Sequence, residues 1–161
     1  MRIPIVIMLT LAGCGGSPAK KPPQALCPGT LSATSDIISV LPNHQCIVST
    51  VPFLSIEGEG PNGNDASVTI TTNVTPTPGT YSCASGKTYI MASDPSQMVS
   101  GQEDSWSAGI SDPPTGSCTL TLDIVSDTHV SGNMSATVQD GLSVPPKMVA
   151  YKVDFSLDVT E

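Results

Sequence analysis

The run Glu57-Gly-Glu-Gly-Pro-Asn-Gly-Asn-Asp65 gathers carboxylates, amides and flexible backbone carbonyls into one short stretch. Hard cations such as Ca²⁺ take six to eight oxygen ligands, and Glu57, Glu59, Asn62, Asn64 and Asp65 form a candidate set. The spacing departs from an EF-hand loop: glycines stand where ligands should alternate, and no acid closes the loop at the right distance. The competing reading is a polar hairpin connection, with Asn62-Gly63 supplying a turn that needs positive φ. A second run, Ser85-Gly-Lys-Thr88, imitates the end of a phosphate-binding loop. The full pattern needs a glycine five positions before Gly86, where Tyr81 stands, and a helix after it.

Nucleophilic catalysis asks for an activated serine, a histidine and an orienting acid. Serines abound, but His44 and His129 are the only imidazoles. His129 follows Asp127-Thr128 at a predicted turn, and no Gly-x-Ser-x-Gly elbow occurs. Paired-carboxylate glycosidase chemistry has no sequence spacing to mark it, and the chain has few aromatic residues to form a sugar platform. No catalytic constellation is legible, so the expectation is a protein without enzymatic activity.

The amino end carries the most specific signal. Arg2 precedes Ile3 to Ala12, an uncharged and largely apolar run. At about 1.5 Å per helical residue it reaches only about 15 Å, half a bilayer core. It is too short to span, and reads as a secretory signal. Its last residues, Leu11-Ala12-Gly13-Cys14, resemble the lipobox of bacterial lipoproteins. The resemblance implies cleavage before Cys14, diacylglycerol on its thiol and acylation of the new amino terminus. Two or three chains would give a stable membrane anchor, whereas one holds only marginally. Gly15 follows the cysteine where some lipoproteins carry an inner-membrane retention aspartate, which points to the outer membrane if the cell has one. Residues 14–26 then read as the lipidated cysteine and a Pro/Gly/Lys linker, and 27–161 as one domain.

All 14 acidic residues lie from Cys27 onward, where Lys87, Lys147 and Lys152 are the only bases. Phosphate backbones are bound through Lys and Arg, so a nucleic-acid partner is not expected. With Cys14 assigned to lipid, Cys27, Cys46, Cys83 and Cys118 remain, an even count suited to two disulfides in an exported domain. Three connectivities are possible; Cys27–Cys46 and Cys83–Cys118 are favoured because each pair flanks its own local run. Zinc is the alternative, but there is no C-x-x-C, and His44-x-Cys46 is isolated.

The elements that would position these groups are strands. Cys118, Leu120, Leu122 and Ile124 share one face of a period-two pattern, and so do Val130, Met134, Ala136 and Val138, with Gly132 interrupting. Tyr151, Val153, Phe155, Leu157 and Val159 repeat it near the carboxyl end. Val68–Ile70, Tyr89–Met91 and Trp106–Ala108 predict shorter strands. Turns are predicted at Pro61–Gly63, Pro76–Gly79, Asp112–Gly116 and Val144–Pro146. The spacing of Asp94, Pro95, Gln97 and Gly101 predicts one helical turn, and Ile37–Leu41 fits either helix or strand. The expected fold is all-β, an antiparallel β-sandwich or barrel with at most one or two short helical turns.

Together these features predict a lipid-anchored cell-envelope protein, on the exported side of the membrane, whose domain is structural or binds an envelope protein partner. Beyond the lipobox, the domain loosely resembles small β-rich bacterial lipoproteins. A small-ligand β-barrel carrier is the alternative, and a calcium-binding module through the 57–65 run a further one. Apart from the lipid on Cys14 and that calcium possibility, no cofactor is expected.

Overall fold

The computed structural model describes residues 28–35, 46–50, 53–59, 66–83, 87–99, 102–110 and 115–159. Within them the chain forms ten strands and no helix. They are β1 Gly29–Ser35, β2 Cys46–Ser49, β3 Leu54–Glu59, β4 Ser67–Thr72 and β5 Gly79–Ser82, then β6 Thr88–Val99, β7 Gln102–Ala108, β8 Ser117–Val125, β9 His129–Asp140 and β10 Met148–Asp158. All pairings are antiparallel, in the order β1-β10-β9-β7-β6-β4-β3-β2.

The long strand β9 organises the sheet. One edge pairs with β10 along its whole length. The other is shared: β8 takes Val130 to Thr137, and β7 takes Gln139 and Asp140. β5 adds to the far side of β8. The sheet thereby curls into a nearly closed barrel. At the seam the Leu31 side chain of β1 lies where a side chain on Gly58 of β3 would be. Glycine at 58 leaves the room that the Leu31 side chain fills; a larger residue there would make that side chain shift.

Alternation builds the interior. Val149, Tyr151, Val153, Phe155 and Leu157 of β10 point inward beside Val130, Met134, Ala136 and Val138 of β9. Leu54, Ile56, Val68, Ile70, Ile90, Leu120 and Leu122 fill the rest. Each buried Val, Leu, Ile, Met or Phe among them contributes about 1.5–3 kcal/mol. Gly132 is the gap in the β9 face because a Cβ there would strike the Thr121 carbonyl and the Phe155 ring.

One expectation is corrected. The stretch from Asp94 to Val99 is not a helical turn but the second half of β6. The β6–β7 register shifts between Ser93 and Met98, and Pro95 falls within that irregularity, where a strand can lose an N–H without breaking its ladder. Asp94 is buried rather than serving as an exposed cap. Ile37–Leu41 and the Pro61–Gly63 turn lie outside the described residues.

The two ends of the barrel differ. Pro28, the β8–β9 turn at 126–128 and the last residues of β10 meet at one end, where the Asp158 N–H donates to the Pro28 carbonyl at 2.8 Å and the Val159 N–H to Thr128 at 3.0 Å. We call this the tether end, after the linker expected at residues 14–26. The β9–β10 connection and the β6–β7 hairpin lie at the far end.

Candidate functional site

Two polar clusters stand out, one at each end of the barrel. At the tether end, His129 and Asp158 are direct cross-strand partners on β9 and β10, with Ser156 two residues back on the same outward row. The His129 Nδ1 is 2.9 Å from Asp158 Oδ1, and its Nε2 is 3.2 Å from Ser156 Oγ. The His129 N–H donates to Ser126 Oγ at 2.9 Å, and that hydroxyl donates to the His129 carbonyl at 3.0 Å. The order serine, histidine, acid is that of a nucleophilic triad. Its surroundings are not. β10 is flanked by β1 and β9, so the backbone N–H groups of its paired residues beside Ser156 are committed to ladders rather than to an oxyanion. The His129 and Asp158 side chains are 33% and 55% exposed, on an outer strand face that does not exclude water. As it stands, the cluster clips the β8–β9 turn to the end of β10.

The second cluster is buried near the far end. Trp106 of β7 lies opposite Asp140 of β9 and opposite Ala92 of β6, and Asp94 is the next inward position along β6. Tyr151 of β10 projects into the same interior, where its phenol feels the charge of Asp94. All four residues are at most 3% exposed. Trp106 Nε1, Asp140 Oδ2 and Tyr151 OH have no protein hydrogen-bond partner. An unmade buried hydrogen bond costs about 1–3 kcal/mol, so three in one region are a large charge against a stability of about 5–15 kcal/mol.

Electrostatics differ between the members. Burial, and then the nearby Asp94 charge, push the Tyr151 phenol well above its ordinary value, so it stays protonated. Burial works to raise the Asp140 pKa, but it is outweighed by hydrogen bonding from Ser143 and Lys147 and by the Lys147 charge. The net result is a carboxyl held below its ordinary value and therefore ionised. Its Oδ1 accepts the Ser143 N–H at 2.8 Å, which folds the 141–147 connection over it.

The sequence-derived candidates fall as follows. Cys83 and Cys118 form a disulfide with a Cα–Cα distance of 4.9 Å, joining the end of β5 to β8. The Cys83 N–H also donates to the Cys118 carbonyl at 2.8 Å. Cys14 and Cys27 lie outside the described residues; Cys46 begins β2, its side chain undescribed. Glu57 and Glu59 belong to β3, with Glu57 exposed, while Asn62, Asn64 and Asp65 lie outside the described residues. Among the described residues no three His, Cys, Asp or Glu side chains converge as metal ligands. Thr88 opens a strand, not the helix a phosphate loop requires.

Sequence reasoning missed both clusters. His129, Ser156 and Asp158 meet only through the β9–β10 register. Asp140 and Asp94 occupy inward positions of predicted or longer strands, and the signal was a charged residue continuing an apolar row: Val138 to Asp140, Ala92 to Asp94. No family model matches the chain, and neither the curated proteins nor the solved structures contain a match.

Proposed function

We propose that the chain is a lipid-anchored protein of the bacterial cell envelope, whose β-barrel domain is a non-catalytic module that binds another envelope component. The observation that carries the anchor is Leu11-Ala12-Gly13-Cys14 at the end of a short apolar run behind Arg2. Two or three acyl chains on Cys14 hold the protein to the exported side of its membrane, in the outer membrane where the cell has one. The linker to residue 26 spans up to about 3.1 Å per residue where its prolines extend it, which lifts the domain clear of the headgroups.

Two structural features support a module used from outside. The interior is occupied by large apolar side chains along most of the barrel. The chain that follows the linker joins the barrel at Pro28, so the tether end faces the membrane and the far end faces away from it. Val144 and Met148, 97% and 51% exposed, give that far end apolar contact surface. Metabolic labelling with an alkyne fatty acid tests the anchor. The wild-type chain should take up label and sediment with membranes, and Cys14→Ala should do neither. Equal behaviour of the two would defeat the reading.

A second reading, a small-ligand carrier, is favoured by one observation: the unpartnered polar atoms on Trp106, Asp140 and Tyr151.

A further inference from the structure

We propose that residues 74–83 form a redox-released strap: reduction of the Cys83–Cys118 disulfide frees β5 from β8 and opens that edge of the barrel. The inference goes beyond the proposed binding role and stands whether or not the chain is lipid-anchored.

The strap is an excursion from a hairpin that closes without it. β4 and β6 pair directly, from Ser67–Ser93 to Thr72–Thr88. The Asn73 N–H then donates to the Lys87 carbonyl at 2.6 Å, and the buried Thr88 hydroxyl donates to Thr72 Oγ1 at 3.2 Å. The β4–β6 ladder is therefore complete whether or not the chain between 73 and 87 lies on the barrel. Non-covalent contacts hold that chain only lightly. β5 has four residues, pairs with β8 alone among the described strands, and has no fully buried member. Tyr81 is half-buried against the core, but its hydroxyl turns back on the strap itself. It donates to the Thr77 carbonyl at 2.6 Å and accepts the Thr77 N–H at 2.9 Å. A short, exposed edge strand belongs to the part of a fold that opens first. Cys83 follows β5 directly and latches it: its N–H donates to the Cys118 carbonyl at 2.8 Å, and its sulfur is bonded to that of Cys118.

The releasing step is a thiol–disulfide exchange with a dithiol. One thiolate of the dithiol attacks Cys83 Sγ, the sulfur of the half-buried partner, whereas Cys118 is 6% exposed. The Cys83–Cys118 bond breaks, a mixed disulfide forms on Cys83, and Cys118 leaves as a thiolate. The second thiolate of the reductant then displaces Cys83. The dithiol ends as a disulfide, having passed two electrons to the protein, and both cysteines take up protons. Without its latch β5 leaves β8, whose backbone groups along Thr119–Leu122 become those of an open edge strand. β9 still pairs with the other side of β8, so the barrel keeps its remaining ladders. Reoxidation restores the latch.

The full chain, held in detergent micelles, is treated with excess dithiothreitol in the absence of denaturant, and freed thiols are alkylated and located by peptide mass. Hydrogen–deuterium exchange is then compared for the oxidised, reduced and reoxidised protein. Cys83 and Cys118 should become alkylated without denaturant. Exchange in residues 74–83 should accelerate on reduction by at least tenfold more than in β9 and β10, and reoxidation should reverse it. The Cys83→Ser, Cys118→Ser double variant should match the reduced wild type, which assigns the change to this bond. A disulfide that dithiothreitol cuts only in urea would overturn the proposal. So would equal acceleration in the strap, β9 and β10, since the bond then staples the whole domain. Unchanged exchange in the strap after reduction would also defeat it, because pairing to β8 alone then holds β5. The wild-type comparison decides even where the double variant fails to fold.

Discussion

His129 is restrained on both ring nitrogens and at its backbone, by Asp158, Ser156 and Ser126. Because this network is partly exposed, its worth is modest: His129→Ala should lower stability by about 0.5–1 kcal/mol in urea unfolding. With the β10 backbone N–H groups beside it committed to ladders, Ser156 should remain unmodified by a fluorophosphonate, with intact mass as the check. Asp140 behaves differently, because its folded pKa lies below the ordinary 3.8. The unfolded chain then binds the proton more readily than the folded one. The stabilisation is present above the unfolded value and is lost as pH falls through the folded value, at about 1.4 kcal/mol for each unit of depression. Acid titration of stability should therefore be steeper for the wild type than for Asp140→Asn between the two values. Equal slopes would remove Asp140 from the account.

At the scale of elements, the close pairing of β8 with β9 depends on Gly132. Gly132→Ala drives a methyl against the Thr121 backbone carbonyl, which cannot swing aside as a flexible side chain could. The expected cost is about 1–3 kcal/mol by chemical unfolding, the range for overpacking. The disulfide works over a longer reach, closing a separation of 35 residues. The Cys83→Ser, Cys118→Ser double variant should lose about 2–4 kcal/mol. Strands of strict alternation were legible in the sequence: β8, β9 and β10 declare themselves because one face is apolar and the other carries Thr, Ser or Asp. β1 and β5 were not, since Leu31 and Ala33 in one and Tyr81 in the other leave too few apolar residues to set a period. The Asp94–Gly101 stretch misled because good capping residues are local signals, whereas β6 is held by pairing to β4 and β7. The buried cluster escaped for a related reason: inward acids are visible in a strand pattern, but only the register puts Trp106 opposite Asp140.

For the whole molecule, the decisive feature is that β1 begins and β10 finishes at the same end of the barrel, seven residue pairs binding one to the other from Gly29–Leu157 to Ser35–Tyr151. If the anchor holds residue 28 and a partner grips the opposite end, any separation of membrane and partner becomes a pull along the strand axis. β1 is then loaded in shear: its ladder to β10 must yield together and cannot be peeled one bond at a time. Under that load the seven β1–β10 pairs would resist together along the strand axis, and would yield one at a time if β1 were drawn sideways from its edge.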